Sequence, residues 1–337
     1  MEIPPGLIDS AAILRTRATT DSIHRDFRAG RLVRIRRGFY IPSADWVRAL
    51  PSERFAWSAA AIARSVPGAV LCMETAALAN GVPALRTPEC VELATTMPGR
   101  SGTRRPSLLV LGGDQQANEI RNKRSYPLRY HLRESIEPTS QGEFRCTGLV
   151  QTALDIMFSA KLSQALVVAD GVARKLRDQG VLPPGSRLRD LDSVAAAISA
   201  HPSAAARLRA DLVASLASPL AESVGESYSR AAFEFLGFEQ PVLQHDFRDG
   251  DGFIGRGDFW WPEQRVAGEF DGKGKYLDAE LRGDIPVEQV LYREKLREDR
   301  IRGLGFGFVR WGWSDVDNPE KLRRKLLAAG LPPRNRA

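Results

Sequence analysis

The stretch that decides the fold is RGDFWWPEQRVAGEFDGK, residues 256–273. It predicts two consecutive strands, because Asp258 opens one apolar run and residues 266–270 form the next. Glu269 and Asp271 are two residues apart and so share one face of the second strand. Three carboxylates that converge in an apolar setting repel one another unless a positive charge lies between them, and a hard divalent cation prefers oxygen ligands. The stretch therefore predicts a site for Mg²⁺ or Mn²⁺, with Asp258 and Glu269 as its strongest ligand candidates.

This pattern resembles the core of the PD-(D/E)XK nuclease superfamily, and more closely its very-short-patch-repair endonuclease-like branch. The motifs of that branch occur in order, as SVGES at 223–227, DFWWP at 258–262, EFDG at 269–272 and LGFGFVR at 304–310. The resemblance implies a restriction-endonuclease-like mixed sheet flanked by helices. It also implies that Glu226, on the helix before the sheet, completes the metal site, and that the activity is metal-dependent hydrolysis of phosphodiester bonds.

The chain departs from the superfamily pattern at Asp271, where many members have a lysine. A lysine at that position orients the attacking water and offsets negative charge on the phosphate. Asp is common here in the branch that the chain resembles, and a basic group can reach the site from elsewhere. Lys275 and Lys295 are both candidates, and the sequence does not choose between them. The candidate catalytic residues are thus Glu226, Asp258, Glu269, Asp271, Lys275 and Lys295.

Basic residues dominate a second informative stretch, RLVRIRRGFYI at 31–41, where apolar and basic residues alternate around Gly38. This alternation predicts a β-hairpin, and two helices are expected before it, at 6–17 and 19–29. Helix, helix and basic hairpin is the order of a winged helix-turn-helix, in which the second helix enters the major groove and the hairpin lies along phosphates. The predicted DNA contacts are His24, Arg25 and Arg28 on the second helix, and Arg34, Arg36 and Arg37 on the hairpin.

The N-terminal region also resembles AbiEi-type antitoxins, through AGRLVRIRRGFYI at 29–41 and, more weakly, METAALANGV at 73–82. Those antitoxins are DNA-binding autorepressors that pair with a nucleotidyltransferase-like toxin. The two resemblances together imply a multidomain α+β chain. We expect a winged helix at 1–52, an AbiEi-like mixed α+β scaffold at 53–216 and a nuclease-like domain at 217–337.

The charge of the chain is unevenly divided. Residues 1–150 carry 21 Lys and Arg against 14 Asp and Glu, and residues 151–337 carry 27 of each, so the formal net charge of +7 lies in the first part. This favours an anionic partner there, above all double-stranded DNA. No apolar run approaches the ~20 residues of a membrane span, and the N-terminus lacks a signal segment, which predicts a cytoplasmic protein without a membrane partner. The three cysteines show no CxxC spacing, which argues against a disulfide framework or a zinc site.

Two functions from different classes remain open. The first is a nuclease that its own winged helix directs to DNA, in phage defence or a toxin–antitoxin system. The second is a non-enzymatic, AbiEi-like antitoxin and transcriptional autorepressor with a degenerate nuclease fold. The retained carboxylates favour the first, because a scaffold has no need of mutually repelling charges. The missing lysine favours the second.

Overall fold

The chain is a mixed α+β protein in a computed structural model that describes residues 1–13, 17–106, 108–111, 115–272 and 287–334. Its packing divides it into two units, Met1–Ser159 and Ala160–Ala337. Within the described ranges, no helix has the length and apolar character needed to cross a bilayer.

The first unit contains small sheets and short helices. Its helices are α1 (Ser10–Ile13), α2 (Arg17–Arg28), α3 (Ser43–Arg48), α4 (Pro51–Ser65), α5 (Met73–Ala79), α6 (Gln115–Asn122) and α7 (Leu149–Ser159), with a 3₁₀ turn at Pro98–Arg100. Its strands are β1 (Ile8–Asp9), β2 (Leu32–Arg36), β3 (Phe39–Pro42), β4 (Val91–Thr95), β5 (Gly102–Arg104), β6 (Leu128–Leu132), β7 (Pro138–Gln141) and β8 (Phe144–Thr147). They form a sheet of order β1-β3-β2, a sheet of order β4-β6-β5 and the β7–β8 ladder.

The predicted hairpin is confirmed as β2 and β3, which are antiparallel, with Gly38 between them at φ +87°. The predicted helix at 6–17 is wrong over its first residues: Ile8 and Asp9 form β1, which pairs with β3. Gly6 has φ +103°, a conformation that no helix contains, and the Asp9 carboxylate accepts a hydrogen bond from the backbone N–H of Ala11, so α1 starts only at Ser10. The second predicted helix is confirmed as α2.

The second unit begins with helices and ends with a mixed sheet. Its helices are α8 (Leu162–Asp178), α9 (Asp192–Ala200), α10 (Ala204–Leu216), α11 (Val224–Leu236), α12 (Val287–Gly303), α13 (Trp313–Val316) and α14 (Pro319–Ala328), with a 3₁₀ turn at Leu188–Asp190. Its strands are β9 (Val242–Asp249), β10 (Gly252–Trp261), β11 (Val266–Asp271) and β12 (Gly307–Gly312), in the order β12-β11-β10-β9. Strands β9, β10 and β11 are antiparallel neighbours, and β12 runs parallel to β11. Both strands predicted from the 256–273 stretch are therefore confirmed.

Alternate residues of this sheet bury against different helices. Phe259 and Phe270 belong to the core that includes Phe233 of α11, whereas Trp260 and Ala267 pack with residues that include Ile301 of α12. The sheet is thus covered by α11 on one face and by α12 on the other. Asp258 is two residues from Trp260 on β10, and Glu269 is two residues from Ala267 on β11. Residues two apart on a strand share a face, so both acids lie on the face that α12 covers.

Helix α11 is fixed in place by a close approach and by a buried ion pair. A Cβ atom on Gly225 would overlap the ring of Phe270, so only glycine lets α11 lie this close to β11. Arg230 of α11 donates to Asp170 of α8 at 2.7 Å, and both side chains are almost fully buried. Helix α8, which lies in the predicted 53–216 scaffold, therefore packs within the second unit. Gly237 ends α11 in the left-handed conformation, at φ +76°.

Candidate functional site

The predicted acidic residues Asp258 and Glu269 lie where the β10–β11 ladder ends. The last paired residues are Phe259 and Gly268, and Asp258 and Glu269 are the next residues along the two strands. The Oδ2 atom of Asp258 accepts a hydrogen bond from the backbone N–H of Phe270 at 2.9 Å. The structure therefore brings these two acids to neighbouring positions on adjacent strands.

Glu269 is 8% exposed, and both of its carboxylate oxygens are held by arginines. Nη2 of Arg297, on α12, donates to Oε1, and Nη2 of Arg310, on β12, donates to Oε2 at 2.7 Å. Arg310 is also the register partner of Glu269 across the parallel β11–β12 pair. The sequence predicted a divalent cation to offset the charge of Glu269, whereas here two guanidinium groups offset it.

Arg297 reaches Glu269 across the surface of β10. A Cβ atom on Gly255 would lie 2.6 Å from Cδ of Arg297, so a glycine at this position makes room for the arginine side chain. Nη1 of Arg297 donates to the carbonyl oxygen of Arg256 at 2.9 Å, and Nη2 also contacts Glu294 at 2.8 Å. Burial would lower the pKa of Arg297, but Glu269 and Glu294 outweigh it and raise the pKa above its usual value. Arg297 is therefore a positioned, permanently charged group.

Further charged residues of α12 extend this ion pair into a network. Arg310 lies 3.6 Å from Glu298 and 3.8 Å from Glu294, and Nε of Arg302 donates to Glu298 at 2.9 Å. With Arg297 and Glu269 this makes three arginines and three glutamates, so the formal charges cancel. The network fastens α12 to β11 and β12.

Glu226 is 2% exposed and serves the N-terminus of α11. Its Oε1 accepts from the Ser223 hydroxyl at 2.7 Å, and its Oε2 accepts from the backbone N–H of Glu222 at 2.9 Å and from Nε2 of Gln244 at 3.0 Å. Ser223 in turn caps the helix by accepting from the backbone N–H of Glu226. A carboxylate in the first turn also interacts favourably with the helix dipole, so these contacts give Glu226 a structural role.

These contacts decide whether the predicted ligands fit a metal ion. Mg²⁺ requires several oxygen ligands at ~2.0–2.1 Å in octahedral geometry. The carboxylate oxygens of Glu226 and Glu269 are all engaged by protein donors. Within the described parts of the chain, no group of three or more His, Cys, Asp and Glu is placed to hold a metal ion. In this arrangement the donor set does not fit Mg²⁺ or Mn²⁺.

The other three predicted site residues are placed as follows. Asp271 is partly exposed at the end of β11, beside Gly312 of β12. Lys295 is exposed on α12, and Arg297, two residues further along, is the α12 side chain that contacts Glu269. Lys275 lies outside the described residues. The basic groups that contact Glu269 are arginines, whereas the sequence pattern had predicted a lysine.

The predicted DNA-contacting residues of α2 lie on its exposed face. His24, Arg25 and Arg28 are exposed, whereas Ile23 and Phe27 are buried in a small core with residues of β2 and β3. The helix is therefore amphipathic, with its basic side chains on the face that points away from its own core.

The three hairpin arginines point in different directions. Arg37 is exposed beside the turn, and the guanidinium of Arg34 lies over the ring of Phe27, 5.5 Å from its centroid. Nε of Arg36 donates to the hydroxyl of Ser65 on α4, and burial lowers the pKa of Arg36. The register shifts between Arg34 and Arg36, as in a β-bulge, and such a shift re-aims a side chain. Arg36 is thus turned towards α4, although the alternation had predicted it on the exposed face.

Comparisons with protein-family models, with curated proteins and with solved structures gave no match to this chain.

Proposed function

We propose that the protein binds double-stranded DNA through α2 and the turn of the β2–β3 hairpin. The observation that carries this proposal is the exposed basic face of α2, formed by His24, Arg25 and Arg28. Arg37 adds an exposed guanidinium beside the hairpin turn.

Physical chemistry supports duplex DNA as the partner. An α-helix fits the major groove, and guanidinium groups bind phosphate oxygens and guanine edges in bidentate geometry. The excess of positive charge over residues 1–150 provides long-range attraction to the phosphate backbone. The order β1-β3-β2, with α2 packed on the sheet, is compatible with the winged helix that the sequence predicts.

The test is binding of the full chain to a fluorescent mixed-sequence duplex, with single-stranded DNA and duplex RNA of the same sequence as comparisons. We expect the DNA duplex to bind most tightly, with an affinity that falls steeply as salt is raised from about 50 to about 200 mM. If the protein fails to bind the DNA duplex even at the lower salt concentration, the proposal is wrong.

A second candidate function is metal-dependent phosphodiester hydrolysis by the second unit. The observation in its favour is the placement of Asp258 and Glu269 next to each other at the end of the β10–β11 ladder. The two arginines on Glu269 count against it, because they occupy the oxygens that a metal would need. We therefore rank a DNA-binding regulator of the AbiEi-like kind first. Metal-dependent cleavage of plasmid DNA or RNA by the wild type, lost in Asp258→Asn, would reverse this ranking.

A further inference from the structure

We propose that Arg297 and Arg310 form a phosphate-binding site in which Glu269 is an internal substitute for the phosphate. The proposed DNA contacts lie in the first unit, so this site is independent of them. The proposal predicts that phosphate competes with Glu269 for the two guanidinium groups.

Arg297, Arg310 and Glu269 have the geometry of an anion-binding site. One carboxylate receives one guanidinium nitrogen on each of its two oxygens, from two different elements of the fold. Guanidinium groups match carboxylate and phosphate oxygens in the same planar, forked geometry. Two converging arginines that hold a carboxylate are therefore suited to hold a phosphate in its place.

Arg297 also carries a hydrogen-bond donor that the described residues leave unsatisfied. Nε of Arg297 is buried and has no hydrogen-bond partner in the part of the chain that the structure describes. An unpaired buried donor is costly, and Nε lies on the same edge of the guanidinium as Nη2, which Glu269 and Glu294 already share. A phosphate that accepts from Nε and Nη2 together would satisfy this donor, which the present contacts leave unpaired.

Contacts other than those with Glu269 position both arginines. The aliphatic part of Arg297 passes over Gly255, and its Nη1 is held by the carbonyl oxygen of Arg256. Arg310 lies over the ring of Phe308, 5.5 Å from its centroid. The arginines are therefore expected to stay in place when Glu269 is displaced, which leaves a preorganised anion site.

The test is calorimetric titration of the full chain with inorganic phosphate, comparing the wild type with Glu269→Gln. The substitution removes the competing charge, so we expect phosphate to bind about tenfold more tightly or better, the scale of one charge-assisted hydrogen bond. Glu294→Gln is the matched control. This substitution changes the net charge by the same amount, and Glu294 also contacts Arg297. Because the contacts of Glu269 with both arginines remain, it should change the phosphate affinity much less.

A further variant separates a specific site from general positive charge. Arg297→Lys in the Glu269→Gln background keeps the charge but loses the fork, and it should remove most of the gain in affinity. If Glu269→Gln melts as a folded protein yet binds phosphate no better than the wild type or Glu294→Gln, the proposal is overturned. If Glu269→Gln does not fold, Glu269→Asp replaces it, because a carboxylate one methylene shorter loses reach to the arginines and should give a smaller gain of the same sign.

The source of the phosphate is decided by a second ligand, a short single-stranded oligonucleotide. It is titrated into Glu269→Gln carrying Arg25→Ala and Arg28→Ala, so that the proposed DNA contacts of α2 do not contribute. Tighter binding of the oligonucleotide than of inorganic phosphate, abolished by Arg297→Lys, assigns the site to a nucleic-acid strand. Binding of inorganic phosphate alone assigns it to free phosphate. If Arg297→Lys changes the affinity for neither ligand, the phosphate does not bind at Arg297 and the proposal is wrong.

Discussion

Replacing Arg25 and Arg28 by alanine should flatten the salt dependence of duplex binding. Both side chains are exposed on α2. Each phosphate contact that is lost should reduce the slope of log affinity against log salt by ~0.9, because fewer counterions are released. The slope of the double variant should therefore be smaller by ~1.8. A tenfold rise in salt should then weaken its DNA binding by a factor that is roughly 60 times smaller than the factor for the wild type.

The assay is fluorescence anisotropy with one labelled duplex at several salt concentrations. Arg36→Ala is the matched control among the basic residues of this region, because Arg36 is turned towards Ser65 and away from the exposed face. It should lower the free energy of unfolding and leave the slope unchanged. An unchanged slope in the double variant, or an equal loss of slope in Arg36→Ala, would refute the assignment of α2 as the DNA-contacting helix.

Three further predictions concern single side chains. Burial, followed by the neighbouring carboxylate of Glu92, raises the pKa of Glu74 from 4.5 to about 7. The folded state therefore loses stability as the pH rises from 4.5 to about 7. Glu74→Gln should stabilise the protein by about 3 kcal/mol above pH 7 and by nothing below pH 4.5, as urea unfolding over this pH range will measure. Asp170→Asn removes the charge partner of the buried Arg230 and should cost about 3–5 kcal/mol, seen as a lower melting temperature; an unchanged melting temperature would show that the pair does not hold α8 to α11. Asp258→Asn should leave duplex binding unaltered, since the proposed DNA contacts lie in the first unit, and a large loss of binding would place the DNA on the second unit.

Local patterns in the sequence were sufficient for several elements of the fold. The alternation around Gly38 predicted the hairpin, and the apolar runs around Asp258 and Glu269 predicted β10 and β11. In each case the signal is carried by residues close together in the chain, where side-chain periodicity and glycine conformation determine the outcome.

The orientation of the hairpin arginines was not predictable in the same way. Alternation places Arg34 and Arg36 on one face only if no bulge interrupts β2 between them. The observed shift between them depends on how β2 meets β3, and a bulge of this kind leaves little trace in sequence.

The surroundings of Glu269 were also missed, because they depend on tertiary packing. Its partners Arg297 and Arg310 lie 28 and 41 residues further along the chain. A signal did exist, since Glu294 and Arg297 are spaced for an ion pair on one helix and Arg310 ends the LGFGFVR motif. The lysine position of the nuclease superfamily pattern gives no indication of these two arginines.

Hydrogen–deuterium exchange of the full chain, with and without duplex DNA, shows which unit of the protein contacts the DNA. If α2 and the hairpin contact the DNA, amide exchange should slow in residues 17–42 and stay unchanged in β11 and α12. Protection confined to β11, α12 and β12, with residues 17–42 unaffected, would contradict the proposed function.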